Sequence, residues 1–414
     1  MSKDAVRDGA RGPSATSLPR RSEYLPFGRP DFSEEEIAAV TRVLRSGWVG
    51  MGPETIAFEQ ELSASVGAPH VVSVSSCTAA LFLSLLVEGV APADEVVCPS
   101  LTWCSSANAA LYLGAKPVFC DVDPETLCAT PEAVLSKLSS RTKAVVVVHF
   151  GGLAVDVRAL RERLPERTAI VEDAAHAFGA HYPDGGQVGS SGNLTCFSFY
   201  ANKNLSTGEG GAVALFGDAA ADQLRSLRQH GLPTDAWKRF THAKTVHAAR
   251  LERLGYKMNY TDLQAALGRV QLRRQAAFSR VRSGIAHRYH QGLSPLMPPI
   301  GFQQDVLATS HARHLFVIRL PVEQLSRSRD ELLLELRARN LGASVHYDPL
   351  HLMPLYGGRA TNGALPQTES LAERIMTLPI SASMSLADAD EVVEALAEAV
   401  SATHRPGARP SEQD

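Results

Sequence analysis

Lys203 stands in the stretch "FSFYANKNLSTGEGGAV" (197–213), just beyond the point where an apolar run stops at Tyr200. Burial disfavours the charged form of an amine, and a neutral lysine attacks carbonyl carbon. The glycine-rich run that follows carries one acid, Glu209, whose small and apolar neighbours predict burial. Elsewhere, "IVEDAAHA" sets Glu172, Asp173 and His176 at the end of another apolar run. An acid there either serves a ligand or caps the following turn. Trp103, in "CPSLTW", is a flat plate for a ring or a core residue. "SVSSCT" ends in Ser75, Ser76, Cys77 and Thr78 at the start of a predicted helix. Hydroxyls and free helix N–H groups cradle phosphate, although serine and threonine are also ordinary helix caps.

Each of these signals has a plain structural explanation when taken alone. Together they match the needs of pyridoxal 5'-phosphate. The lysine amine bonds to the aldehyde, and a carboxylate keeps the pyridine nitrogen protonated. An aromatic ring covers the flat cofactor. Thr78, Ser198 and the backbone N–H of Cys77 offer hydrogen bonds to the phosphate.

The elements around these residues alternate. "HVVSVSS" is predicted as a strand and "CTAALFLSLLVEG" as the helix after it. "DEVVCPS", "KPVFCDVD", "TKAVVVVHF", "TAIVEDAA", "LTCFSFY" and "GAVALF" are further short apolar runs bounded by turn residues. Continuous rather than alternating apolar runs predict parallel strands buried on both faces. The fold class is therefore α/β, with a large doubly wound, mostly parallel sheet over roughly 70–217. Ligands bind such sheets at the carboxyl ends of the strands, where the residues above lie. Beyond them, 262–282 is strongly helical and the period continues to about Tyr289. "HARHLFVIRL" (311–320) is predicted as a strand, and "RDELLLELRARNLG" as a helix with Gly342 at its carboxyl cap. "ASVHYDP" is a further predicted strand and "DADEVVEALAEAVSA" a closing helix, which makes a smaller α+β domain.

The chain has 414 residues, 44% hydrophobic and 21% charged, with a formal net charge of -3. That length suits one large and one smaller domain. The charge gives no reason to expect nucleic acid as a partner, and no apolar stretch is long enough to span a membrane. The first residues, 1–22, and the last, 405–414, are predicted as disordered tails, leaving 23–285 and 286–404 as the large and small domains. The amino-terminal segment lacks the apolar core of a signal peptide. Six scattered cysteines show no metal spacing and are expected as reduced thiols, which implies a cytoplasmic location and no metal site.

Ordered motifs over residues 23–400 resemble the fold-type-I, DegT-like sugar aminotransferases. The matching stretches include "LPFGRPDFSEEEIAAV", "LRSGWVGMGP", "VEDAAHAFGA", "FSFYANKNLSTGEGGAV", "LRQHGL" with "DAWKRF", and "GYKMNYTDLQAALGRVQL". Two departures stand out. Asn202 replaces a usual threonine, and "GYKMNY" replaces "GYKYNM", which leaves open what Met258 and Tyr260 do.

The resemblance implies that Lys203 bonds to the cofactor, Asp173 partners the pyridine nitrogen and Trp103 is the stacking plate. It implies that His176 meets the phenolic oxygen, and that Thr78, Ser198 and the Cys77 backbone hold the phosphate. It gives Asn259 a contact to that phosphate from the other subunit of a homodimer with shared active sites. Lys257, His346, Tyr347 and His351 are candidate substrate contacts or ordinary surface and turn residues. The implied reaction moves an amino group from glutamate or glutamine to a nucleotide-linked keto sugar. The implied acceptor is the C-4 ketone of a dTDP-4-keto-6-deoxyhexose. A C-3 ketone or a cyclitol ketone is the alternative. A dehydratase of the same fold would replace the lysine by histidine, and a non-catalytic relative would lose Lys203 or Asp173; this chain keeps both.

Overall fold

The computed structural model describes residues 21–232, 251, 253–304, 311–357 and 363–403. Residues 1–20 and 405–414 of the expected tails, and the motif "DAWKRF", lie outside the described residues. Arg21, assigned to the first tail, is tied down by Asp388 at 2.6 Å and Glu391 at 2.5 Å.

A seven-stranded sheet forms the centre. Its strands are β1 (His70–Val74), β2 (Glu95–Pro99), β3 (Lys116–Cys120), β4 (Thr142–Val148), β5 (Ala169–Asp173), β6 (Leu194–Ser198) and β7 (Gly211–Leu215). The spatial order is β1-β7-β6-β5-β4-β2-β3. Strands β2 to β6 pair in parallel, and β7 runs antiparallel to both β1 and β6. That reversal corrects the all-parallel expectation for "GAVALF". A parallel pair needs a crossover, usually a helix. The segment between β6 and β7 contains none, so the chain turns straight back.

Helices cover both faces: α1 (Glu34–Ser46), α2 (Pro53–Val66), α3 (Cys77–Val87), α4 (Ser105–Leu111), α5 (Pro131–Leu135), α6 (Val157–Arg163) and α7 (Asp218–Leu227). Two apolar clusters lie on the two sides of the sheet, one around α3 and one around Phe58, Phe197 and Phe199. A third core builds on β8 (Gly301–Phe302), β9 (Phe316–Arg319) and β10 (Ile375–Leu378), an antiparallel sheet of order β10-β9-β8. Helices α9 (Arg329–Ala338) and α11 (Leu386–Thr403) pack there, while α10 (Pro366–Ala372) contributes Leu371 to the α3 side.

The long helix α8 (Asp262–Leu293) begins in a capping box between Thr261 and Gln264. It packs first on the α1 and α2 side and ends in the third core through Ile285, Tyr289 and Leu293. The expected division at 285/286 falls inside it.

Two predictions for the second part fail. Helix α9 ends at Ala338, and the left-handed residue beyond it is Asn340 (φ 63), not Gly342. Gly342 meets a different need: its N–H donates to Leu25 O at 2.7 Å, and a Cβ there would lie 2.5 Å from that same oxygen. "ASVHYDP" forms one isolated bridge, Ser344 to Thr377, instead of a strand. Its chain leaves the sheet edge to cross toward the strand ends of the large sheet.

Asp262, the first residue of α8, ties that helix to the start of α2. Helix α2 starts at Gly52, which has no side chain to cap it. Asp262 does so from across the sequence. Its carboxylate accepts from Gly52 N (2.8 Å), Thr55 N (2.9 Å) and Thr55 Oγ1 (2.7 Å) while buried. Asp262→Ala strands these donors and should destabilise the protein by about 2–4 kcal/mol, with Asp262→Asn losing less. Chemical unfolding followed by far-UV circular dichroism measures the difference.

Candidate active site

The carboxyl ends of β1, β2, β4, β5 and β6 share one edge of the sheet, and a cavity of about 430 Å³ opens there. Its walls include Cys77, Thr78, Trp103, Asp173, His176, Ser198, Lys203, His346 and Tyr347. Strands far apart in sequence thus deliver the predicted residues to one place. Lys257 and Asn259 are not among the walls. Lys257 is exposed, and the Asn259 amide donates to Tyr260 O at 3.1 Å. Glu209 lines the cavity but is exposed, contrary to expectation, because its turn projects outward.

Asp173 ends β5 and is 6% exposed. Ser106 Oγ donates to its Oδ2 at 2.6 Å, and Ala175 N donates to Oδ1 at 3.2 Å. Burial pushes its carboxyl above the ordinary value, and these two donors and the Lys203 charge oppose it. Neighbouring Glu172 points to the opposite face, as alternate strand residues do. There it accepts from His149 Nε2 (2.8 Å), Tyr182 Oη (2.6 Å), Asn193 Nδ2 (2.9 Å) and Ser191 Oγ. Burial raises its carboxyl, but the donors outweigh burial and hold it below the ordinary value. Glu172 therefore fixes the strand end from behind, while Asp173 faces the cavity.

Lys203 lies in the turn after β6. Burial lowers its amine from 10.5 to about 8, opposed by Cys77 and Asp173. No hydrogen bond joins Lys203 to Asp173; the lysine instead lies 3.3 Å from His314 Nε2. His176 accepts from Gly151 N at Nδ1 (3.3 Å), which leaves its Nε2–H for Tyr347 Oη at 3.1 Å. Burial, with Lys203 and His346 nearby, keeps His176 neutral. Burial and Lys203 lower His346 to about 3. Trp103 is 60% exposed, so it is no core residue; its ring stands 5.8 Å from that of Tyr347.

The opposite wall is built for an anion. Ser76 Oγ is spent capping α3, accepting from Ala79 N at 3.1 Å. The N–H groups of Cys77 and Thr78 begin the helix and have no intrahelical acceptor. The hydroxyls of Thr78 and Ser105 meet at 2.8 Å beside them, and Ser198 stands on β6. Gly211 makes this closeness possible: a Cβ there would lie 2.6 Å from Cys77 N. Anion donors, a buried amine and a buried carboxylate along one cavity fit the phosphate, aldehyde and ring nitrogen of pyridoxal phosphate.

Sequence reasoning missed Ser106 and His314. Ser106 sits in the ordinary-looking helix "SSANAAL". His314 lies in a run taken for continuous strand, but β9 begins only at Phe316. Residues 312–315 instead pair with the loop after β4, through Ala312 N to Gly152 O (2.9 Å) and Leu315 N to Gly151 O (3.1 Å). The polar histidine inside an apolar run was the available signal.

Among the described residues no cluster of His, Cys, Asp or Glu is placed to hold a metal ion, and no helix is long and apolar enough to cross a membrane. All six cysteines are free thiols, and all but Cys104 are buried.

A profile of the DegT/DnrJ/EryC1/StrS aminotransferase family matches residues 30–397. The aminotransferase TlmJ from Streptoalloteichus hindustanus is 36% identical, with a TM-score of 0.83 over 91% of this chain and 99% of that one. S. venezuelae DesV, solved with a ketimine intermediate, is 34% identical, with a TM-score of 0.81 over 91% and 98%. Spr1654 from Streptococcus pneumoniae, solved in its PMP form, is 30% identical, with a TM-score of 0.83 over 91% and 99%. These matches indicate pyridoxal phosphate as the cofactor and agree with the fold-type-I expectation.

Glu172 has a pH signature. Its folded-state carboxyl lies below the ordinary value of 4.5, so its contribution to stability is full above that value and lost as pH falls through the lower one. Glu172→Gln keeps one acceptor oxygen but cannot be charged. It should lower stability by about 2–4 kcal/mol at pH 7 and flatten the acid limb of the stability curve, as measured by urea unfolding at several pH values.

Proposed function

We propose a function from one premise: the chain belongs to the DegT/DnrJ/EryC1/StrS aminotransferase family, and it transfers an amino group from glutamate or glutamine to a keto sugar on a nucleotide carrier. The acceptor carbon is the C-4 ketone of a 6-deoxyhexose. The observation that carries the reading is the buried Lys203 amine sharing one cavity with Asp173 and an anion cradle.

Bound pyridoxal phosphate supplies the aldehyde that condenses with an amine and the ring that takes up electrons from the adjacent carbon. The chain's residues do the rest. Thr78, Ser198 and the Cys77 N–H would hold the phosphate independently of the lysine. Asp173, kept in place by Ser106, holds a proton on the ring nitrogen. Trp103 covers one face, and His176 presents its Nε2–H. Lys203, with an amine near 8, is partly neutral at physiological pH and moves a proton to and from the carbon that bears the nitrogen. His346 and Tyr347 form the wall where the sugar enters. The C-4 assignment draws support from "FSFYANKN" with "RQHGL" and "DAWKRF". Residues 23–285 and 286–404 serve as the cofactor-binding and smaller domains, and the enzyme works in the cytoplasm.

A panel of nucleotide-linked 3-keto and 4-keto sugars and a cyclitol ketone, each with glutamate and with glutamine, tests the reading. Amine product from the 4-keto-6-deoxy sugar is expected; product only from another ketone overturns that choice of acceptor. Lys203→Ala should lower turnover by at least about a thousandfold. Asp173→Asn should still bind cofactor yet lose at least about a hundredfold in kcat, since an amide does not hold the ring proton. Near-normal turnover of either variant overturns its assignment.

Asn259 tests the assembly. It is absent from the cavity of its own chain, and we assign it to the phosphate of the partner's cofactor in a homodimer. Lys203→Ala and Asn259→Ala chains, each impaired alone, should regain about a quarter of wild-type activity after subunit exchange, because half the dimers carry one intact site. No recovery under verified exchange means that Lys203 and Asn259 of one chain serve that chain's own site, which overturns the shared-site assignment.

A further inference from the structure

The Lys203 amine needs a partner whenever it is not bonded to cofactor, and Asp173 is not that partner. The carboxylate oxygens of Asp173 are engaged by Ser106 Oγ and Ala175 N. Among the described residues the lysine's one side-chain hydrogen bond runs to His314 Nε2, at 3.3 Å. His314 is 4% exposed and does not line the cavity. Its ring packs against that of His176, with centroids 4.6 Å apart.

The direction of that contact follows from a chain of donors and acceptors. Asn204 Nδ2 lies 2.7 Å from Ala312 O, and only an N–H can face a carbonyl at that distance. The Asn204 amide is thereby oriented, and its Oδ1 faces His314 Nδ1 at 3.3 Å. An oxygen acceptor requires a proton on Nδ1. Burial, with Lys203, His176, Arg282 and His346 nearby, keeps His314 neutral, so it carries a single N–H. Nε2 is then a bare lone pair aimed at the lysine.

We propose that His314 is a positioning residue for the reactive lysine: its Nε2 lone pair, fixed by Asn204, accepts from the Lys203 amine and holds it whenever it is free of cofactor. The amine is released once in each half of a transamination, and a released lysine has several rotatable bonds. Held by His314, it stays beside the cavity instead of sampling other rotamers. The acceptor also favours the charged amine, so it limits how far burial lowers the lysine.

The inference rests on Lys203 being the reactive lysine, and the test separates the two. In cofactor-free protein, the pH profile of Lys203 acylation, followed by peptide mass spectrometry, reports the amine's midpoint. The groups facing that amine are Cys77, Asp173, His176, His314 and His346. Wild-type protein should give a midpoint near 8. His314→Leu removes the acceptor and should lower it by about one unit, while His314→Gln, which sets an amide oxygen near the same place, should restore most of the shift.

In the loaded enzyme His314→Leu should lower kcat by about tenfold and leave the KM for the amino donor unchanged. An unmoved or raised midpoint in folded His314→Leu overturns the proposal. If that variant does not fold, nitrogen NMR of the His314 ring decides: a protonated Nδ1 with an Nε2 signal that moves in Lys203→Met supports the contact, and a protonated Nε2 overturns it. Borohydride reduction of the loaded enzyme reads the underlying premise separately, because cofactor trapped on a peptide without Lys203 would refute the lysine assignment while leaving the amine titration intact.

Discussion

A buried amine and a buried carboxylate share one cavity without neutralising each other, and the structure around them serves that constraint. Opposite charges in low dielectric attract strongly, and a direct Lys203–Asp173 ion pair would fix both residues in an inert contact. The chain prevents it by giving each a different partner. Ser106 and the Ala175 N–H take the oxygens of Asp173, and His314 takes the amine. Burial then raises the acid and lowers the amine, so each lies nearer to neutral than in water. A carboxylate able to hold a ring proton and an amine able to exchange one both follow from that arrangement.

The sheet meets this constraint by its topology. Residues at the carboxyl ends of β1, β2, β5 and β6 are distant in sequence yet adjacent in space. Alternation along β5 gives Asp173 to the cavity and Glu172 to an anchoring network on the other side. The glycines do the fine placement. Gly211 lets β7 come against the first turn of α3, and Gly152 (φ 102) lets the 312–315 segment approach, since a Cβ there would lie 3.1 Å from Ala312 Cβ and 3.2 Å from Arg313 N. Replacing either by a larger residue would push apart the parts of the site that must touch.

The sequence signalled the large sheet well because its strands are fully buried, and full burial leaves continuous valine-rich runs such as β4. That Lys203, Asp173 and Thr78 meet at one cavity was legible because each sits at the end of such a run. What failed depended on contacts that no local pattern encodes. The antiparallel sense of β7 follows from the missing crossover. Gly342 reads locally as a helix cap, but its neighbour is Leu25, more than three hundred positions away in the chain. Glu209 was expected buried from the company it keeps, but its turn projects outward. Tyr260, left open by its motif, is fully buried, and its Oη donates to Thr207 Oγ1 at 2.6 Å. Ser106 and His314 matter only through Asp173 and Lys203; nothing near Ser106 marks it, and the one local sign of His314 is a polar residue beside an apolar run.

The segment from Ser344 to Tyr356 shows why the site belongs to neither core alone. At one end it is held by the smaller sheet, through the Ser344–Thr377 bridge and the hydrogen bond of His346 Nδ1 with Thr377 Oγ1 at 2.9 Å. At the other it is held by the large one. Leu350 N donates to Ser100 O at 3.0 Å, and His351 pairs with Ser100 Oγ at 2.7 Å and Glu369 at 3.1 Å. Tyr347 hangs between the two anchors and faces Trp103 and His176 across the cavity. The cofactor side of the pocket is thus set by strand ends and cannot shift without disturbing a packed sheet. The wall assigned to the sugar rests on a span anchored at both ends and, between them, by the hydrogen bond of Tyr347 Oη with His176 Nε2; changes elsewhere in that span can reshape what enters while the lysine, the carboxylate and the anion cradle stay where they are.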